Sequence, residues 1–137
     1  MTDLSTSLPT AQPRPLLRAA LKLDAVVTGA NGAAYVVAAG PLGDLLGLSE
    51  TLLRGAGAFL LAFAAVVWLT GTRPQIPRGP VYAIVLSNAV WAADSVVAAI
   101  AGWGGPTTAG TVWIVLQAIV VAGFAELQVA GLRRKDR

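Results

Sequence analysis

Four apolar runs follow one another along the chain, separated by three short segments rich in proline, glycine or charge. Each run has about the ~20 residues that an α-helix needs to cross ~30 Å of hydrocarbon. Because the connections are short, helices that are consecutive in sequence should be antiparallel neighbours. The pattern predicts an all-α polytopic membrane protein, an up-down bundle of four transmembrane helices at about 17–39, 52–70, 81–101 and 109–132.

The two ends of the chain lack this apolar pattern. Residues 1–15 are rich in Ser, Thr and Pro, which is typical of a disordered tail. Residues 16–132 form the expected transmembrane domain, and residues 133–137 form a short basic tail. The apolar region that begins near Leu16 is longer than a signal-peptide core, so we expect no cleaved leader.

Basic residues predict the orientation of the spans. Nine of the 10 Lys and Arg residues fall on one side of the predicted bundle, and the tenth, Arg54, lies on the other side beside Asp44 and Glu50. Since Lys and Arg accumulate on the cytoplasmic side, both termini should be cytoplasmic and the protein should lie in the cell (inner) membrane. Such a one-sided distribution also argues against a dual-topology transporter.

The amino-acid composition excludes several classes of partner and of catalytic chemistry. Hydrophobic residues make up 55% of the chain and charged residues 12%, about half the charged fraction of a soluble domain. Because the basic residues lie at helix ends, membrane topology explains them and we expect no nucleic-acid partner. The chain contains no Cys and no His, which excludes thiol chemistry, zinc hydrolysis and His-dependent catalysis. The sequence predicts no catalytic residue, no cofactor and no metal ligand.

Seven polar residues inside the spans are candidates for an intramembrane polar core. At about 1.5 Å per residue from the cytoplasmic ends, three lie roughly 9–12 Å deep and three roughly 21–23 Å deep, while Arg54 enters from the opposite end of the second span. Groups at one depth can hydrogen-bond across helices. The shallow layer is Asp24, Asn88 and Glu126, and the deep layer is Asn31, Asp94 and Gln117.

Of these residues, Asp94 has the largest free-energy cost of insertion into the membrane. A charged Asp near the centre of a span costs roughly 3 kcal/mol, which nearly cancels the gain from the apolar residues around it. We therefore expect Asp94 to face the bundle and to bond to Arg54 or Asn31. A structural ion pair and a titrating functional site both remain open for this residue.

Small residues suggest how the helices pack. The second span carries a row at steps of 3, 4 and 3, through which it is expected to pack on the polar core of the other three spans. Packing within the chain and contact with another subunit are both open for these rows. The row of the second span is Gly55, Ala58, Ala62 and Ala65, and the first span offers Ala25, Gly29 and Ala33.

A weak internal repeat relates the two halves. Residues 23–32 align without gaps to residues 86–95, and Asn31 then corresponds to Asp94. Both segments start on the same side of the predicted membrane, so a true repeat would be a parallel duplication of a helical hairpin. Duplication and chance similarity between Ala- and Val-rich helices are both open.

Three runs resemble small integral membrane proteins of bacteria. They are LKLDAVVTGANG at 21–32, NAVWAADS at 88–95 and TAGTVWIVLQA at 108–118, and the likeness covers residues 16–132. None of these runs is a catalytic motif, so the resemblance implies a fold and a membrane location but no activity. Quinone-disulfide redox carriers and small multidrug exporters share the span count. The absence of Cys argues against the former, and the one-sided charge and extra length against the latter.

Two classes of function fit these observations. The favoured class is a non-enzymatic structural or accessory membrane component that meets another membrane protein, or a second copy of itself, through its small-residue helix faces. The alternative is a small carrier or proton-linked permease in which Asp24, Asp94 or Glu126 titrates during transport. A membrane enzyme is the least favoured class. The lipid bilayer is the one partner that the composition requires.

Overall fold

The computed structural model describes residues 14–134, which are helical apart from short connections and contain no strand. The expected all-α class is therefore confirmed. Residues 1–13 and 135–137, most of the two expected tails, lie outside the described range. The helices are α1 (Pro15–Val37), α2 (Ala39–Leu46), α3 (Glu50–Gly71), α4 (Arg78–Ala101) and α5 (Thr108–Arg134).

The surface of the helices is strongly apolar. α3, α4 and α5 are each long and apolar enough to cross a membrane, and α1 with α2 supplies a fourth span if the bent pair counts as one. Val37 is 85% exposed, Ile100 82% and Leu69 63%. Soluble proteins rarely expose apolar surface on this scale, whereas lipid tails solvate it. The length and apolar surface of these helices are those of a helical membrane protein.

A sharp bend separates α1 from α2. The sequence suggested a span to residue 39 followed by a turn, but the helix breaks at Ala38 and α2 leaves at 96° to α1. The cause is Pro41, which has no N–H to donate to the Val37 carbonyl and whose ring would clash with it in a continuous helix. α2 itself ends at Gly47, whose φ of 74° suits glycine.

α1 and α3 pack backbone against backbone. A Cβ on Gly57 would lie 2.7 Å from the carbonyl oxygen of Gly32, and a Cβ on Gly32 would lie 2.8 Å from that of Gly57. The buried face of α3 therefore runs through Leu53, Gly57, Leu60, Ala64 and Val67.

The expected packing row of α3 is wrong. Gly55, Ala58, Ala62 and Ala65 are all exposed, on the side of α3 that faces away from the other helices. The reason is that small and large residues alternate along the buried face. Its glycine and alanine let the backbones approach closely, and its Leu and Val bury large apolar side chains. A row of small residues alone offers little apolar area to bury.

The helices form an arc in the order α3, α1, α5, α4. α1 packs on α3 and on α5, α5 packs on α4, and α3 and α4 make few backbone contacts although they are consecutive long helices. The expectation that all consecutive helices are neighbours is thus wrong at this pair. Aromatic side chains lie between α3 and α4, as described below, and hold the two backbones apart.

Arg18 fixes the basic end of the arc. Its guanidinium donates to the carbonyl oxygens of Gly71 at 2.8 Å, Arg73 at 2.8 Å and Pro74 at 3.2 Å. The last carbonyls of a helix have no partner within the helix, so this cation satisfies the C-terminal end of α3 and complements its dipole. At the same end Gly131 of α5 lies against the backbone of Leu17.

Candidate functional site

A hydrogen-bond network surrounds Asp24, which is fully buried. One carboxylate oxygen accepts from the Thr28 hydroxyl at 2.8 Å. The other accepts from the side-chain amides of Asn88 and Gln128, each at 2.8 Å. Asn88 also donates to the Gln128 side-chain oxygen at 3.2 Å. The network links α1, α4 and α5 at one level.

Asp24 accepts all three of its hydrogen bonds in this network, two from side-chain amides and one from a hydroxyl. Among the side chains that the structure describes, residues 14–133, the one ion pair joins Glu50 to Arg54, so no cation of that range is paired with Asp24. Neutral amide and hydroxyl donors therefore replace water around this side chain.

Two further polar contacts join α1 to α5 farther from the basic end. The Asn31 side-chain amide donates to the Gln117 side-chain oxygen at 3.4 Å. The indole N–H of Trp113 donates to the Tyr35 hydroxyl at 2.7 Å. The structure thus brings together Asp24 with Asn88 and Asn31 with Gln117, the pairs whose sequence depths matched.

A central cavity of about 340 Å³ is lined by α1, α3, α4 and α5, and it is partly open, since Phe59, Leu86 and Asp94 on its wall are exposed. Most of its wall is aliphatic or aromatic. The polar lining residues sit on α1, α4 and α5, and α3 contributes only apolar ones. The polar residues are Thr28, Asn31, Ser87, Asn88, Asp94 and Gln117.

Three aromatic rings form the wall of the cavity between α3 and α4. Phe59 stacks on Trp91 with ring centroids 5.9 Å apart and an interplanar angle of 6°. Phe59 also stacks on Phe63 of its own helix at 6.1 Å. Offset aromatic stacks of this kind are stabilising beyond the area they bury. The Phe59–Trp91 pair therefore bridges two helices whose backbones make few contacts.

Asp94 lines this cavity but is exposed, and neither of its expected partners bonds to it. Arg54 pairs with Glu50, and the Asn31 side-chain amide donates to Gln117. The Arg54 guanidinium lies 3.4 Å from the Glu50 carboxylate, and both side chains are more than half exposed. Glu50 precedes Arg54 by one helical turn, and both lie on the outward side of α3, so the local pair forms more readily than one across the arc. The expected Asp94–Arg54 ion pair is replaced by this surface pair.

Glu126 does not join the polar core. It is exposed on the outer side of α5, in a shallow groove that also contains Arg133. Gln128 occupies the position in the Asp24 network that was expected for Glu126. Gln128 was not among the residues expected in the shallow layer. Helical spacing puts Gln117, Phe124 and Gln128 on one face of α5 and Glu126 on the opposite one, but it does not determine which of the two faces is buried.

No protein-family model, no curated protein and no solved structure matches this chain.

Proposed function

We propose that the protein is a non-enzymatic structural or accessory component of the inner membrane that acts through helix–helix contacts. The network around Asp24 supports a structural use of its buried carboxylate, because the network joins three helices. Under this proposal the bundle is a fixed scaffold, and its working surface is the outer face of α3. We define that face by Glu50, Arg54, Ala58, Ala62 and Ala65.

The small residues of this face, Ala58, Ala62 and Ala65, are exposed. Nothing lies within 4 Å of a Cβ built on the neighbouring Gly55, whereas one on Gly57 meets three atoms closer than 3.0 Å. In lipid, helices associate through small residues that let their backbones approach closely. This contrast between two glycines of one helix is the observation that carries the proposal.

Charge on the outer face of α3 favours a second copy of the same chain as the partner. Glu50 and Arg54 lie one turn apart at the same end of the face as an exposed ion pair. A two-fold axis would bring the same face of each copy together, so that each Glu50 could pair with the Arg54 of the other copy. A symmetric dimer therefore matches both the steric and the electrostatic character of the face.

Cysteine cross-linking tests this dimer directly, because the chain has no native Cys. Purified Ala62→Cys protein in lipid nanodiscs or dilute proteoliposomes should form a disulfide-linked dimer under mild oxidation. The control is Ile119→Cys, which lies mid-helix on α5 and is 63% exposed. Adding Ala58→Leu should suppress the Ala62→Cys dimer. Equal yields at the two cysteine positions would show random collision and contradict the proposal.

The orientation follows from the charges of the two ends. Arg18, Arg73 and Arg78 lie at one end of the arc, together with the start of α1 and the end of α5, and we propose that this end is cytoplasmic. A cytoplasmic reporter fused after residue 137 should therefore be active. The same reporter inserted within residues 102–108 should be silent, and an exported C-terminus would overturn the orientation.

The second candidate function is a small carrier or proton-linked permease. The central cavity favours it, because Asp94 is a carboxylate on the wall of a space that a solute could occupy. Of the other two acids considered for transport, Asp24 is held by its hydrogen bonds and Glu126 faces outward. A carrier should therefore lose transport in Asp94→Asn protein that still folds, and should keep it in Glu126→Gln protein.

A further inference from the structure

We infer that the central cavity binds a small lipophilic organic cation, with Asp94 as its counter-ion and Trp91 as its aromatic contact. This inference goes beyond the proposed dimer and does not depend on it. The site is lined by all four long helices, while the dimer face lies on the outer side of α3.

The size and lining of the cavity suit a small organic molecule. A volume of about 340 Å³ falls at the lower end of the range of small-molecule pockets, about 300–1,000 Å³. Such pockets are mostly apolar and carry a few convergent polar groups. Here the apolar part is supplied by all four helices, and the polar groups cluster on α1, α4 and α5.

The charge of the wall selects a cation. Of the residues that the structure describes, Asp94 is the only charged one that lines the cavity, and the polar residues around it are neutral amides and hydroxyls. No Lys or Arg among residues 14–133 forms an ion pair with it. Asp94 is itself exposed on this wall, so its carboxylate is accessible to a cation that enters the cavity, whereas an anion would be repelled.

The aromatic wall selects an organic cation over a metal ion. Trp91 precedes Asp94 by three residues, so both side chains lie on one face of α4. The face of an indole ring attracts ammonium groups, and aromatic walls of this kind recognise quaternary ammonium ligands. A hard metal cation such as Ca²⁺ is usually held by several carboxylates, and the described part of the chain has no group of three or more Asp or Glu side chains that could hold one.

Equilibrium binding of benzyltrimethylammonium to the full chain in nanodiscs of zwitterionic lipid tests the site. Three probes of similar shape separate charge from hydrophobicity: the cation, its uncharged isostere neopentylbenzene, and benzenesulfonate. We expect saturable binding of the cation alone. Asp94→Asn should weaken that binding at least about tenfold, equivalent to about 1.4 kcal/mol. Glu126→Gln removes a carboxylate outside the cavity and should leave binding unchanged.

Variants of the aromatic wall distinguish a ring contact from simple packing. Trp91→Phe should retain most of the affinity, whereas Trp91→Leu should lose about three- to thirtyfold. Asp94→Glu should restore the binding that Asp94→Asn loses, which separates loss of charge from loss of fold. Unchanged affinity in Asp94→Asn protein, or equal binding of the cation and its isostere, would overturn the inference. Neither result affects cross-linking at Ala62, so the proposed dimer is tested independently of the cation site.

Discussion

Replacing Asp24 with leucine should lower the free energy of unfolding by about 2–5 kcal/mol. The change removes the acceptor of three hydrogen bonds and leaves the donors of Thr28, Asn88 and Gln128 without this partner. A buried donor left unpaired costs about 1–3 kcal/mol, and bonds within membrane proteins fall toward the lower end of the range. Thermal unfolding in mild detergent measures the loss.

Glu126→Leu is the matched control for Asp24→Leu, because it makes the same substitution at an exposed position of α5. It should leave the unfolding temperature unchanged or raise it. Asp24→Asn should fall between the two, since the amides of Asn88 and Gln128 can rotate to offer it an oxygen. If Asp24→Leu unfolds at the wild-type temperature, the network does not hold the helices together, and Asp24 becomes a candidate for a titrating site.

Gly57→Ala should destabilise the contact between α1 and α3 by about 1–3 kcal/mol. The added methyl group would lie 2.7 Å from the Gly32 carbonyl oxygen, 2.8 Å from Val36 and 2.9 Å from Tyr35. Because the nearest of these atoms is backbone, the helices themselves must move apart. Resistance to unfolding in a graded series of detergent mixtures reports this change.

Gly55→Ala provides the comparison two residues away on the same helix. The new methyl group meets nothing within 4 Å, and alanine favours the helix by about 0.5–1 kcal/mol over glycine. Gly55→Ala should therefore unfold no earlier than the wild type. If the two variants unfold together, α1 and α3 do not approach at Gly57, and the arc must be arranged differently.

Part of the candidate site could be predicted from residue spacing. Asp24 and Asn88, and likewise Asn31 and Gln117, were matched by their distances along separate helices, and each pair is hydrogen-bonded. The depth of a residue in the membrane can be calculated from the sequence because a helix has a constant rise per residue and the spans begin near one plane. Groups that match in depth and face the same interior then need only short side-chain movements to meet.

Other parts of the site depended on the rotation of each helix, which spacing does not determine. Arg54 and Asp94 have matching depths, yet Arg54 points away from the arc and pairs with Glu50. Glu126 and Gln128 are two residues apart on α5, and the packing of α5 on α1 and α4 decided which one is buried. An Ala-rich helix presents several faces of similar hydrophobicity, so a small difference in packing area selects among them.

The sequence by itself determined the helical class, the long apolar helices and the end of the bundle at which the basic residues gather. These features follow from local chemistry. A long apolar run is solvated by lipid, and because lipid offers no hydrogen bonds, the backbone of the run must form them within a helix. Only the tertiary structure decided the arc with its α3–α4 gap, the burial of Gln128 and the cavity beside Asp94. Those features depend on which faces meet, and close contacts such as Gly32 with Gly57 and Phe59 with Trp91 set them between residues far apart in the chain.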